Sequence, residues 1–270
     1  LETIGVQFGN NLNAFTSWDC TQYMVMDLPV TEENVDLALL ILHDWSQFIA
    51  LQPEEIDSER GVIMEELRTR DGAQLRAQND MIKNLFKGSL YEHRNLIGYL
   101  DGLKSFDHTA LENFYKKWYR PEYQAIVIVG DVDVDQVEAK IKAIMADIPA
   151  SPADAAQKDV IVIPDNEEPI VSIFTDPEQQ RSMMQIIYKQ PALPKQYKGL
   201  VVAELNDIIM AYVSTMMNER LNDISQQPNA PFLGAGNYGG SITRSMDIME
   251  IYASAREGEA LKSFEAIYTE

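Results

Sequence analysis

The chain has 270 residues, of which 46% are hydrophobic and 24% are charged, a balance typical of a folded globular protein. Its net charge of −20 argues against a nucleic-acid partner, because phosphate binding requires clustered Lys and Arg. No apolar run reaches the roughly 18 residues that a membrane-spanning helix requires. Cys20 is the only cysteine, which excludes an intramolecular disulfide and a thiolate-rich zinc site.

The first predicted elements are two extended segments and two helices. Residues 13–17 and 21–28 have the pattern of strands, and Pro29 ends the second. Thr31 is a predicted helix cap, followed by acidic residues that suit a first helical turn. The next helix is predicted to begin near Pro53 and to continue to about residue 76.

The pattern from residue 107 onwards predicts alternating helices and strands. Asp107 or Thr109 opens a helix, residues 124–129 form an apolar run typical of a buried strand, and residues 134–145 form another helix. A proline-containing stretch, 149–165, is the predicted domain boundary.

After this boundary the order of strand, proline turn and long helix repeats. The predicted elements are a strand at 183–189, a helix at 197–221, and strands at 234–241 and 246–255. The sequence therefore predicts an α+β fold of two related units, each with a largely antiparallel sheet and helices on one face. Residues 1–155 are the predicted remainder of the first domain, and residues 156–270 are the start of a second, homologous and incomplete one.

The candidate functional residues are two glutamates on the predicted second helix. Glu59 and Glu66 are seven residues apart, so both carboxylates lie on one face, two turns from each other. Val62 and Ile63 lie on or near that face, which predicts that it is at least partly buried. A carboxylate in such a place requires a metal, an arginine or several donors as partners.

The residues alone allow two interpretations of this pair, a zinc site or ion pairs with arginine. Zinc accepts one carboxylate beside two imidazoles, and a second carboxylate could orient a ligand. Alternatively, neighbouring arginines could pair with these acids. The chain's histidines are far apart in sequence and do not complete a metal motif; they are His43, His93 and His108.

Residues 59–66, Glu-Arg-Gly-Val-Ile-Met-Glu-Glu, resemble the second half of the metal motif of the pitrilysin, or insulinase, family of zinc metallopeptidases. The resemblance implies that Glu66 is a zinc ligand and that Glu59 is a supporting catalytic residue behind it, with Glu65 facing away. It also implies a His-x-x-Glu-His motif about 10–20 residues before Leu1, outside this chain. We expect zinc in the full-length protein but not in this fragment.

The resemblance extends to the first strand and beyond. Asn13, Ala14 and Phe15 are similar to the family's edge strand, which pairs with the substrate as an added β-strand, and this makes them the implied substrate contacts. The alternative is an ordinary strand with Phe15 in the core. Residues 114–121 and Gly130-Asp131 also resemble the family, and His93 is expected to have a structural role.

The resemblance implies that this chain is a fragment of a zinc-dependent endopeptidase. The full-length protein is expected to hydrolyse peptides with zinc-activated water, and the fragment by itself is expected to be inactive. The expected partners are peptide substrates and a second pitrilysin-like half, in the same chain or as a separate subunit. The alternative is a non-catalytic half that serves binding and assembly. The resemblance also implies a location in the bacterial periplasm or cell envelope.

Overall fold

The computed structural model describes Gly9 and residues 11–270, which divide into two compact units. The first unit runs to Thr69 and also contains Asn95–Asp159, and the second consists of Arg70–Arg94 and Val160–Glu270. The later crossing between units, at residues 159 and 160, falls within the proline-containing stretch. The sequence pattern did not predict that residues 70–94 belong to the second unit. The division into homologous domains at residue 155 stays a prediction.

The strands and helices of the described residues follow in chain order. The strands are β1 (Leu12–Thr16), β2 (Thr21–Val25), β3 (Ser182–Pro191), β4 (Gly234–Thr243) and β5 (Met246–Ala255). The α-helices are α1 (Glu32–Gln47), α2 (Pro53–Arg70), α3 (Ala73–Leu85), α4 (Leu100–Ser105), α5 (His108–Trp118), α6 (Val134–Ile144), α7 (Val201–Ser225) and α8 (Ala260–Thr269).

In the first unit, β1 and β2 form an antiparallel hairpin in which Leu12 lies opposite Val25 and Thr16 opposite Thr21. Helix α1 begins where predicted, because the Thr31 side chain accepts a hydrogen bond from the Asn34 N–H at 3.2 Å. Asp107 caps α5 in the same way.

An aromatic cluster attaches the hairpin to two helices of the first unit. The Tyr23 hydroxyl on β2 lies 2.6 Å from that of Tyr119, just after α5, and the Tyr23 ring packs against Trp45 of α1. Tyr115 completes the cluster by donating its hydroxyl proton to the Trp45 carbonyl at 2.9 Å. The position of β1 therefore depends on contacts made through β2.

In the second unit, β5 lies between β3 and β4 in an antiparallel sheet. Side chains of α7 and α8 pack with the sheet in one buried cluster, made up of Leu221, Phe232, Ile251, Ala253 and Ile267. Ile251 and Ala253 lie on the same face of β5, so both helices cover that face. The predicted α+β class, with antiparallel sheets and helices on one face, is confirmed.

The buried strand predicted at residues 124–129 is wrong. This segment pairs with no strand among the described residues, and Val127 and Val129 are 80% and 91% exposed. A strand needs a neighbour to satisfy its main-chain groups, and sequence pattern cannot show whether one is present.

Two helix boundaries also differ from prediction. The second helix ends at Arg70 instead of near residue 76, and α3 begins after Gly72, whose poor helix propensity favours a break. The long helix of the second unit begins at Val201, four residues later than predicted, after a short 3₁₀ turn at Lys195–Tyr197.

Candidate functional site

Glu59 and Glu66 lie on one uninterrupted helix, α2, as predicted. Glu59 is exposed and Glu66 is half-buried. Between them, Ile63 is half-buried but Val62 is 55% exposed, so the expected burial of this face fails at Val62. The seven-residue spacing on a continuous helix still directs both carboxylates to the same side.

The middle of α2 is fixed by Arg60, the neighbour of Glu59. Its guanidinium donates to the carbonyl of Leu103 and, at 3.0 Å, to that of Phe106. It also lies 3.9 Å from the centre of the Phe106 ring, a cation–π contact. Arg60 therefore attaches α2 to the end of α4 and sets the rotation of the helix that carries both glutamates.

The other charged residues of α2 also have defined contacts. Asp57 lies 2.9 Å from His108 Nε2 and 3.4 Å from Arg60, and these contacts lower the pKa of its carboxyl. Glu65 accepts two hydrogen bonds from Arg68, one of them 2.8 Å long. The pairing of Glu65 with Arg68 agrees with the expectation that this residue faces away from the glutamate pair.

The strand β1 has an open edge. One main-chain hydrogen bond lies at each end of the hairpin. At the open end the Met26 N–H donates to the Asn11 carbonyl at 2.7 Å, and next to the turn the Ser17 N–H donates to the Cys20 carbonyl at 2.8 Å. Antiparallel pairing alternates, so Asn13 and Phe15 also direct their main-chain groups to β2. The main-chain groups of Ala14 therefore point to the opposite edge, where the described residues contribute no strand.

The side chains of Asn13 and Phe15 lie on the face of the hairpin away from the aromatic cluster, because Ala14 is the residue opposite Tyr23. Phe15 is 47% exposed and is therefore not the core residue of the alternative interpretation. The Asn13 side-chain oxygen accepts a hydrogen bond from the Ala14 N–H at 2.8 Å. This bond occupies the main-chain donor of Ala14 at the open edge. The sequence pattern did not predict it.

The three histidines occupy different elements of the chain. His43 is buried in α1 between Asp147 at 2.9 Å and Asp44 at 3.0 Å. Burial alone would lower the pKa of His43, but the two carboxylates outweigh it and raise the pKa. His108 is held by Asp57, and His93 is exposed at the end of a 3₁₀ turn, Leu90–His93.

No group of three or more His, Cys, Asp or Glu side chains suited to a metal ion occurs in the part of the chain that the structure describes. These residues supply one candidate zinc ligand, Glu66, whereas a catalytic zinc has three protein ligands. The described residues thus do not fit a complete zinc centre. Among Gly9 and residues 11–270, no helix combines the length and apolar character needed to cross a bilayer.

The chain matches two family models that together cover most of its length. Residues 1–98 match the model described as Insulinase (Peptidase family M16), and residues 105–267 match the Peptidase M16 inactive domain. The first match contains the hairpin and α2, and hence every proposed site residue.

Similar proteins include a probable zinc protease, PqqL, of Escherichia coli strain K12. It is 27% identical over 94% of this chain and 26% of its own length. A PQQL-like zinc protease of Arabidopsis thaliana is 32% identical over 86% of this chain and 24% of its own length. The chain therefore spans about a quarter of the length of these relatives.

The fold is similar to that of the first half of the periplasmic protease PqqL from Escherichia coli, with a TM-score of 0.82 and 24% identity. The likeness covers 98% of this chain and 56% of that structure. Because one family model alone matches residues 105–267, more than half of the sequence, the chain belongs to peptidase family M16, the insulinase or pitrilysin family.

Proposed function

We propose that this chain is part of a zinc-dependent endopeptidase in which Glu66 is a zinc ligand and Glu59 is an outer carboxylate that supports it. The observation that carries the proposal is the placement of both residues on one face of an uninterrupted α2, inside the segment that matches the insulinase model. Glu65 is turned about 100° around the helix from Glu66, away from the side that Glu59 and Glu66 share, so it is not the proposed ligand.

The open edge of β1 is the proposed substrate-binding element. A peptide can add to it as a further strand by pairing with the main-chain groups of Ala14, beside the side chains of Asn13 and Phe15. Such binding first requires the Ala14 N–H to leave the Asn13 side chain. Main-chain pairing recognises extended peptides more than particular sequences.

The chain by itself is expected to bind zinc weakly and not to hydrolyse peptides, because its described residues supply one candidate ligand. Zinc, when bound in a complete site, would act as a Lewis acid and activate water. The histidine ligands and the general base are expected upstream of Leu1. A second pitrilysin-like half is the proposed partner, and the periplasm is the proposed location, since relatives include a periplasmic protease.

The proposal is tested in a version of the protein extended upstream through the expected histidine motif, by measuring zinc per chain and hydrolysis of a fluorogenic peptide. Glu66→Gln should lose both. Glu59→Gln should retain more zinc while its activity falls roughly 10–100-fold, as for other outer carboxylates. Glu65→Gln is the matched control and should behave as the parent protein, and stoichiometric zinc in Glu66→Gln would refute the assignment.

Binding along β1 is tested by Ala14→Pro in the same extended protein. Proline removes the N–H that points to the open edge and leaves the hydrogen bonds between β1 and β2 in place. We expect KM to rise and zinc content to stay unchanged. An unchanged KM in a folded variant would show that the peptide does not pair with this edge.

A non-catalytic half is the second candidate, favoured by the match of residues 105–267 to the Peptidase M16 inactive domain. In that case the chain would serve binding and assembly. The same extended protein separates the two candidates, because a non-catalytic half would bind no stoichiometric zinc even with Glu59 and Glu66 intact.

A further inference from the structure

The loop that follows α5, residues 119–123, is fixed within the first unit by side-chain contacts. The Gln47 side chain of α1 donates a hydrogen bond to the Tyr119 carbonyl. Arg120 is only 6% exposed, and its guanidinium lies 4.7 Å from the centre of the Tyr123 ring, a cation–π contact. Because a buried charge is costly without partners, these contacts hold Arg120 in one place. We call residues 119–123 the supporting loop.

The supporting loop binds a later part of the first unit, residues 156–158, through main-chain groups. The Arg120 guanidinium donates to the Ala156 carbonyl. The Lys158 N–H donates to the Tyr123 hydroxyl at 2.7 Å, and the same hydroxyl lies 3.5 Å from the Ala156 carbonyl. These contacts fix the backbone of residues 156–158, and they therefore fix the point from which the Lys158 side chain extends.

The Lys158 side chain reaches the turn that joins β1 to β2. Its ammonium group donates to the Asp19 carbonyl at 2.7 Å, a contact between residues 139 positions apart in the chain. Asp19 is half-buried and lies between the two strands. A hydrogen bond from a charged donor is stronger than one between neutral groups. Lys158 therefore holds the backbone of the turn.

The hairpin is thus supported at two points, and both supports trace back to the supporting loop. Near the middle of the hairpin, the Tyr23 hydroxyl on β2 lies 2.6 Å from the Tyr119 hydroxyl. At the turn, Lys158 bonds to Asp19 while Tyr123 holds the Lys158 backbone. An isolated two-stranded hairpin is only marginally stable, and β1 and β2 have no third strand beside them among the described residues. A hairpin held at the middle alone could pivot, whereas one held also at its turn cannot.

We propose that Lys158 is a positioning residue for peptide binding, which holds the turn of the hairpin so that the open edge of β1 stays in place for an added peptide strand. This inference rests on the proposed use of β1 as the substrate-binding element. If the hairpin had to be ordered at the moment of binding, the cost would be subtracted from the binding free energy. Loss of the Lys158 contact should therefore weaken peptide binding and leave the zinc ligand Glu66 unaffected.

The first test measures the motion of the turn directly, without peptide or zinc. Cys20 follows Asp19, is exposed and is the only cysteine, so a nitroxide attached to it reports this motion by electron paramagnetic resonance. Lys158→Met keeps the aliphatic length and removes the charge, and we expect a shorter rotational correlation time than in the parent chain. Lys158→Arg keeps a charged donor and should restore the parent spectrum. Lys142→Met is the matched control, because Lys142 is exposed and pairs with Glu138 within α6. An unchanged spectrum in Lys158→Met would overturn the proposal.

The second test asks whether the supporting loop acts through Lys158. Tyr123→Phe removes the hydroxyl that accepts from the Lys158 N–H and keeps the ring against Arg120. With the same label, this variant should also shorten the correlation time. Combined with Lys158→Met it should add little, since both changes break one path of contacts. Fully additive effects would show that Tyr123 and Lys158 act separately and would overturn this path.

The third test measures peptide hydrolysis in the protein extended upstream through the expected histidine motif. Lys158→Met should raise KM roughly 3–10-fold, the equivalent of one hydrogen bond, while kcat, zinc per chain and the urea midpoint stay unchanged. Lys158→Arg should return KM to the parent value. Ala14→Pro is measured beside them. If Ala14→Pro raises KM and Lys158→Met does not, only the role of Lys158 is overturned; if neither raises KM, the proposed use of β1 fails as well.

Discussion

Replacing Arg60 with alanine should loosen the attachment of α2 to the rest of the first unit. The Arg60 side chain is 16% exposed and donates to the main-chain carbonyls of Leu103 and Phe106, the latter at 3.0 Å. A hydrogen bond from a charged donor contributes about 1.5–3 kcal/mol, and the contact with the Phe106 ring adds about 1 kcal/mol. Because these contributions overlap and the site is partly solvated, we expect a loss of about 3 kcal/mol in the free energy of unfolding.

The measurement is urea denaturation followed by tryptophan fluorescence, since all three tryptophans, Trp18, Trp45 and Trp118, lie in the first unit. Arg68→Ala is the control on the same helix, because Arg68 is 72% exposed and its partner Glu65 is 59% exposed, and such exposed ion pairs contribute little to stability. We expect its unfolding curve to match that of the parent chain. If Arg60→Ala also leaves the curve unchanged, the idea that Arg60 positions the glutamate helix is refuted.

Three further predictions concern contacts that lie within one unit or the other. His43 has a raised folded-state pKa, so its contribution to stability is complete below the unfolded pKa of about 6.5 and is lost as pH rises through the folded value. The stability gap between the parent and His43→Gln, from urea midpoints at several pH values, should shrink as pH rises, and a constant gap would contradict this. Arg76→Met should lower the urea midpoint of the second unit, because it removes the cation 2.7 Å from the largely buried Asp176 carboxylate. Since Arg76 lowers the pKa of Asp176, the loss should disappear as pH falls through that folded pKa, and equal losses at all pH values would refute the pairing. Tyr23→Phe should cost about 1 kcal/mol in unfolding free energy through the lost hydroxyl contact, and an unchanged urea midpoint would remove it from the hairpin's support.

Local chemistry determined much of the secondary structure from the sequence alone. Thr31 and Asp107 open helices because their side chains accept hydrogen bonds from N–H groups in the first turn, a contact within a few residues. The hairpin and the strands of the second unit follow from alternation over short segments. The family could likewise be identified from residues 59–66, since a contiguous motif lies within one helix.

The tertiary structure decided the features that depend on residues distant in sequence. Whether residues 124–129 are buried depends on a neighbouring strand, and none is present among the described residues. The anchoring of α2 by Arg60 depends on carbonyls more than 40 residues away. The apolar character of α7 was visible in the sequence, but only its packing shows which side remains exposed. For the glutamate pair, helical periodicity determined that both carboxylates share a face, while long-range contacts determined how that face is held and how far it is exposed.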